Sequence, residues 1–127
     1  MRYSVPKKTL GHLIILCVGL FAMTAFSAAR TLTTSVTIVN NSDRAIRNVY
    51  LSHVNVDDWG DNQLPDGASI ASGQSYNLSN VACDQSQVKV IAEDQDGCFA
   101  STVVNCGSSG TWTITNSTAR DCGGSGN

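Results

Sequence analysis

Apolar and polar positions alternate with a period of two along much of residues 35–116, the pattern of strands that bury one face. In Ser35–Asn40, Val36 and Ile38 share one face while Ser35 and Thr37 share the other. Ile46–Ser52 continues the alternation, but Ile46, Val49 and Leu51 break the period between 46 and 49. That break predicts a bulge near Asn48, with Tyr50 on the opposite face. Gln74–Leu78 places Tyr76 and Leu78 together, and in Thr111–Asn116 Trp112 and Ile114 alternate with threonines. Val88–Glu93 and Phe99–Val104 flank Asp94-Gln95-Asp96-Gly97, which is turn chemistry, so this stretch predicts a hairpin. Asn40–Asp43, Ala71–Gly73 and Gly107–Gly110 supply further turns. Beyond residue 29 no stretch keeps a helical period over two turns. About six or seven short antiparallel strands with polar turns predict an all-β fold, a small immunoglobulin-like β-sandwich.

The first 29 residues follow a different pattern. Arg2, Lys7 and Lys8 precede an apolar run, Leu13–Met23, and small residues Ser27-Ala28-Ala29 follow it. This order predicts an export signal over 1–29, cleaved after Ala28 or Ala29, with no stable membrane insertion afterwards. Ile14-Ile15-Leu16 lacks the small residue that would make Cys17 a lipidation site. Residues 30–122 form the expected domain, and Gly/Ser-rich 123–127 a flexible tail.

Removing the signal changes the charge. Ten acidic residues then face only Arg30, Arg44, Arg47, Lys89 and Arg120, a net charge of −5 against −2 for the whole chain. No basic cluster exists, which argues against a nucleic-acid partner. Four cysteines remain, Cys83, Cys98, Cys106 and Cys122, with one histidine and no CxxC pair. An even count in a short exported chain predicts two disulfides rather than a zinc site, with three connectivities open. Folding the hairpin about its turn brings Cys83 opposite the neighbourhood of Cys106. Cys83–Cys106 with Cys98–Cys122 is therefore the preferred pairing, each loop of about 24 residues contributing roughly 3 kcal/mol in the chain-entropy model. Such bonds predict a secreted or periplasmic location.

The segment from His53 to Ser69 has no sustained period and is long for a connection in a compact domain, which marks it as a candidate site. Asp57, Asp58, Asp61 and Asp66 are candidate oxygen ligands for Ca²⁺, although their spacing is not that of an EF-hand. No other cofactor is expected. Trp59 beside Asp61 and Asn62 fits a sugar-stacking surface. It also fits a loop anchor folded over the sandwich edge with Leu64 beside it, which the scarcity of aromatics favours. Ser52, His53 and Asp57 or Asp58 supply the residue types of a hydrolytic triad. Neighbours on one strand and loop rarely converge in that geometry, and no Gly-x-Ser-x-Gly elbow is present.

Taken together, Val39-Asn40-Asn41-Ser42, Ile46, Tyr50-Leu51-Ser52, Trp59–Leu64, Gly73, Cys83-Asp84, Asp94–Gly97 and Cys106 form an ordered pattern over about residues 35–116. In that pattern the chain resembles a group of small exported bacterial β-sandwich proteins. Two departures stand out. The group often has Ser-Pro where this chain has Ser52-His53, and Cys98 with Cys122 looks like an added pair, which supports leaving Cys83 to Cys106. Some members carry an argininosuccinate-lyase label, but a lyase of that class is a much larger helical enzyme.

The reading is an exported module without catalytic activity, binding a glycan or protein partner at the cell envelope or outside it. A structural subunit that packs into an envelope or appendage assembly through its sheet edges is the first alternative. A small hydrolase built on His53 and the acidic loop is the second.

Overall fold

A computed structural model describes residues 32–123; the expected signal over 1–29 and the tail beyond Gly123 lie outside the described residues. Six strands follow in order: β1 (Leu32–Asn41), β2 (Ile46–Ser52), β3 (Ser75–Cys83), β4 (Gln87–Asp94), β5 (Phe99–Asn105) and β6 (Ser109–Thr115). They form two three-stranded sheets, ordered β3-β1-β6 and β2-β4-β5, and the described residues make an all-β, disulfide-stapled sandwich. Among the described residues no helix is long and apolar enough to cross a membrane.

One strand pair departs from the antiparallel expectation, because β6 runs parallel to β1 from Ser35↔Ser109 to Asn41↔Thr115. The cause is the short link after Asn105, which carries the chain across to the other sheet. There β6 lies along the free side of β1 and runs in the same direction.

The inward faces are those the alternation marks. Val36, Ile38, Val49 and Val90 are wholly buried between the sheets, with Leu78, Val81 and Ile114 around them. Full burial of each such side chain contributes about 1.5–3 kcal/mol. β2 has the expected bounds, and its register with β4 shifts between Ile46 and Asn48, beside the bulge expected near Asn48. β3 runs five residues past the Leu78 limit that its alternation suggests. Ser79 and Asn80 together oppose Ser35, with Asn80 at φ 58°, and this bulge returns Val81 and Cys83 to the inward face.

Asn40 explains the Val39-Asn40-Asn41-Ser42 stretch. Its side chain is fully buried; Nδ2 donates to the carbonyls of Arg44 (2.7 Å) and Ile70 (2.9 Å). Its Oδ1 accepts from the Ser42 N–H (3.1 Å) and hydroxyl (2.7 Å), so one amide fixes the β1–β2 turn and ties it to residue 70.

Both disulfides have the preferred pairing. Cys83, however, does not sit across the mouth of the β4–β5 hairpin. It ends β3 in the other sheet, because residues 84–86 cross between the layers before β4 begins, so Cys83–Cys106 staples sheet to sheet. Cys98–Cys122 holds the C-terminal segment against the start of β5, where Phe99 and Asp121 exchange backbone hydrogen bonds of 2.7 and 2.8 Å.

Candidate functional site

The segment after β2 serves first as cover for an edge strand. Outward-facing groups of β2 are met in turn by Gly60 N–H on Leu51 O (3.1 Å), Gln63 N–H on Val49 O (2.7 Å) and the reciprocal Ile46–Ile70 pair. Asn62 Oδ1 accepts from the Val49 N–H (2.9 Å) and from the Leu64 N–H (3.1 Å), standing in for a strand carbonyl. Leu64 is buried in the core beside this seam. The long connection therefore protects β2 from pairing with another chain.

Between His53 and Gly60 the same segment doubles back over the outer face of β2-β4-β5. Its descent is pinned at two points. Lys89 Nζ of β4 reaches Asp57 Oδ1 at 3.0 Å and holds that carboxyl below its ordinary range. Asp58 Oδ1 accepts from the His53 N–H (2.9 Å) and lies 2.9 Å from the Ser52 hydroxyl.

Trp59 then comes down on the sheet between Tyr50 of β2 and Phe99 of β5, with ring centroids 5.5 Å and 5.0 Å away. Its contact with Phe99 is edge-on, a favoured aromatic geometry worth about 0.5–1.5 kcal/mol beyond burial. Beneath them Ile91 is buried although it belongs to the outer face, which shows that the ring covers apolar surface as an anchor would. Yet Trp59 remains 40% exposed. Together with Lys89, Phe99, Ser101 and Asp121 it lines a shallow depression of about 160 Å³.

A second cluster lies at the rim between the sheets. The His53 imidazole sits between two carboxylates: Nδ1 meets Asp58, and Nε2 meets Asp84 at 2.9–3.0 Å. Hydrogen bonds donated to Asp84 and then to Asp58 push the His53 pKa up to about 9, while His53 holds both carboxyls below their usual range. The imidazole is thus a cation that joins the end of β2 to the crossing after β3, beside the Cys83–Cys106 staple. Neither ring nitrogen is left to take a proton from Ser52, whose hydroxyl lies against Val56 O (2.6 Å) and Asp58.

The expected site residues do not converge. Trp59 caps the outer face, Asn62 is turned to the β2 edge, and Asp61 is exposed with its carbonyl accepting from Gln63 Nε2. Of the calcium candidates, Asp57 pairs with Lys89 and Asp58 with His53, while Asp61 and Asp66 are exposed. Among the described residues no group of three or more His, Cys, Asp or Glu is disposed to hold a metal ion. Asp84, Phe99 and Ser101 enter the picture only through the fold. They lie 31 or more residues from His53 along the chain and carry no local signal.

No protein-family model and no curated protein matches the chain. Among solved structures it is similar to the NMR structure of a protein from Eubacterium rectale, with 13% identity, a TM-score of 0.43, and coverage of 70% of this chain and 84% of that one. Likeness of that degree carries no functional information.

Proposed function

We propose that this chain is an exported, non-catalytic binding module of the cell envelope or extracellular space, and that it takes a glycan on the outer face of β2-β4-β5. The observation that carries the reading is the half-exposed Trp59 ring, held rigid between Tyr50 and Phe99 above a shallow, polar-rimmed depression. A sugar presents an apolar ring face with hydroxyls at its edge. An immobilised indole offers the complementary flat surface, and Lys89, Asp57, Ser101 and Asp121 offer donors and acceptors around it. Little ordering is needed on binding, because neighbours already fix the ring.

Two disulfides in so small a domain support an oxidising compartment, secreted or periplasmic. The engagement of both His53 nitrogens with carboxylates supports a non-catalytic role over the hydrolase, which needs a neutral imidazole with a free nitrogen. The test is retention of the mature protein on protease-treated envelope polysaccharide. Wild type should be retained and Trp59→Ala should not, whereas Asp61→Ala should behave as wild type. Equal retention of wild type and Trp59→Ala removes the proposed site.

A further inference from the structure

Four strands lie at sheet edges, and they are not equally protected. β2 is covered by residues 60–70, as described. β3 is interrupted by its Ser79–Asn80 bulge. β6 is uncharged and has no covering segment among the described residues, but it carries Gly110, which weakens it as a pairing strand. β5 is open and has no such interruption.

Its ladder with β4 is regular, and Cys98 O and Cys106 N–H face β4 while Phe99 faces away toward Asp121. By the alternation of an antiparallel ladder, the N–H and C=O of Ser101 and Val103 also face away from β4. Among the described residues none of those groups has a partner. The whole strand, Phe99–Asn105, carries no charge, no proline and no glycine. On the outer face beside this edge Val103 is 44% exposed. Unpaired backbone, β-branched residues and missing charge together make an edge that accepts another strand.

We infer that this edge pairs antiparallel with β5 of a second copy about a two-fold axis at Val103. Three features choose that occupant. The Asp121 segment already occupies the place beside Phe99, so an incoming strand can begin only at Ser101. A strand centred on Val103 fits that limit, because β5 of the second copy ends at Asn105 and turns at Gly107 before meeting Asp121. The same register sets the two exposed valines opposite each other, and the uncharged strand brings no like charges together. Pairing of this kind is isologous and closed. One pair of short edge strands is a small contact beside the roughly 1,000 Å² that a stable interface needs, so the dimer is weak and forms at high concentration.

The result would be one six-stranded sheet with both Trp59 rings on the same side. That arrangement does not depend on what the rings bind, but it would make the face bivalent.

The experiment is sedimentation equilibrium of the mature protein from micromolar to millimolar concentration, in low and moderate salt. The mass should approach twice the monomer value, more readily at higher salt, since each copy carries net negative charge. Ser101→Pro removes an outward donor without touching the β4 ladder, and Val103→Glu opposes two carboxylates across the axis while facing Lys89 in its own sheet. Both variants should weaken association at least tenfold and keep the thermal midpoint within a few degrees. A wild type that stays monomeric at millimolar concentration overturns the inference, as does a dimer that both variants leave intact. Exchange protection of the Ser101 and Val103 amides in a monomer also overturns it, because the edge would then be covered from within the chain.

Discussion

Replacing Asn40 by alanine removes the amide that fixes the β1–β2 turn. Nδ2 loses its bonds to Arg44 O and Ile70 O; Ile70 O keeps the Ile46 N–H, and the Ser42 hydroxyl, released from Asn40 Oδ1, is free to turn its one proton to Arg44 O. The Ser42 N–H fares worse, since its acceptor disappears in a buried place. An orphaned buried donor costs about 1–3 kcal/mol, and the two lost bonds add about 1 kcal/mol each. A total of about 4 kcal/mol, at about 4–8 °C per kcal/mol for a domain this size, lowers the thermal midpoint by about 16–32 °C. Differential scanning calorimetry reads this directly. Ser42→Ala should cost about 1–2 kcal/mol. In Asn40→Asp the buried carboxylate has no donor for the two carbonyls, so its folded pKa is raised. The protonated form is tolerated better, and this variant should be more stable at pH 4 than at pH 7. A fall below about 5 °C for Asn40→Ala would refute the view that this amide organises the turn.

Three further outcomes follow from the site. Because the folded His53 pKa is raised from 6.5 to about 9, its clamp contributes fully below about pH 6.5 and is lost as pH rises toward 9; the lowered Asp58 and Asp84 give the opposite loss in acid. Midpoint against pH should therefore decline between 6.5 and 9 in wild type and lie flatter in His53→Gln. Replacing Cys98 and Cys122 together by serine should cost roughly 3 kcal/mol, given their separation of 24 residues, and speed hydrogen exchange at Phe99 and Asp121. Calcium at millimolar concentration should leave the midpoint within about 2 °C of its value in EDTA; a rise of about 10 °C would mean that Asp57 and Asp58 leave their cations to build a site.

Much of the fold was legible because alternation reports burial. β2 has its expected bounds, and the broken period at 46–49 reports the bulge because an extra residue flips every later side chain. The cysteine pairing was legible from the hairpin turn, which draws Cys83 toward Cys106, and from the added look of Cys98 with Cys122, but the crossing of residues 84–86 between layers, which makes the bond join the sheets, was not. A three-residue link reads the same whether it turns within one sheet or passes to another. The alternation of β3 stops at Leu78 because Ser79 and Asn80 form the bulge, after which Val81 and Cys83 resume the inward face.

The candidate site was less legible. Trp59 stood out as a rare aromatic in an irregular segment, but its neighbours Tyr50 and Phe99 come from separate strands. Asn62 lies close to Trp59 and Asp61 in the sequence, while its work for the β2 edge depends on a side chain replacing a backbone carbonyl, which leaves no periodic trace. The His53–Asp84 contact joins residues from different sheets, so no local pattern could announce it.

The central claim is that the outer face around Trp59 is the binding surface. Amide and indole chemical-shift mapping of the mature protein during titration with solubilised envelope polysaccharide tests it most directly. Shifts concentrated on Trp59, Phe99, Ser101 and Asp121, with the Trp112 indole unmoved, are the predicted result. Shifts gathered instead at the His53–Asp84 rim or on β3-β1-β6, or no shifts at saturating polysaccharide, would contradict it.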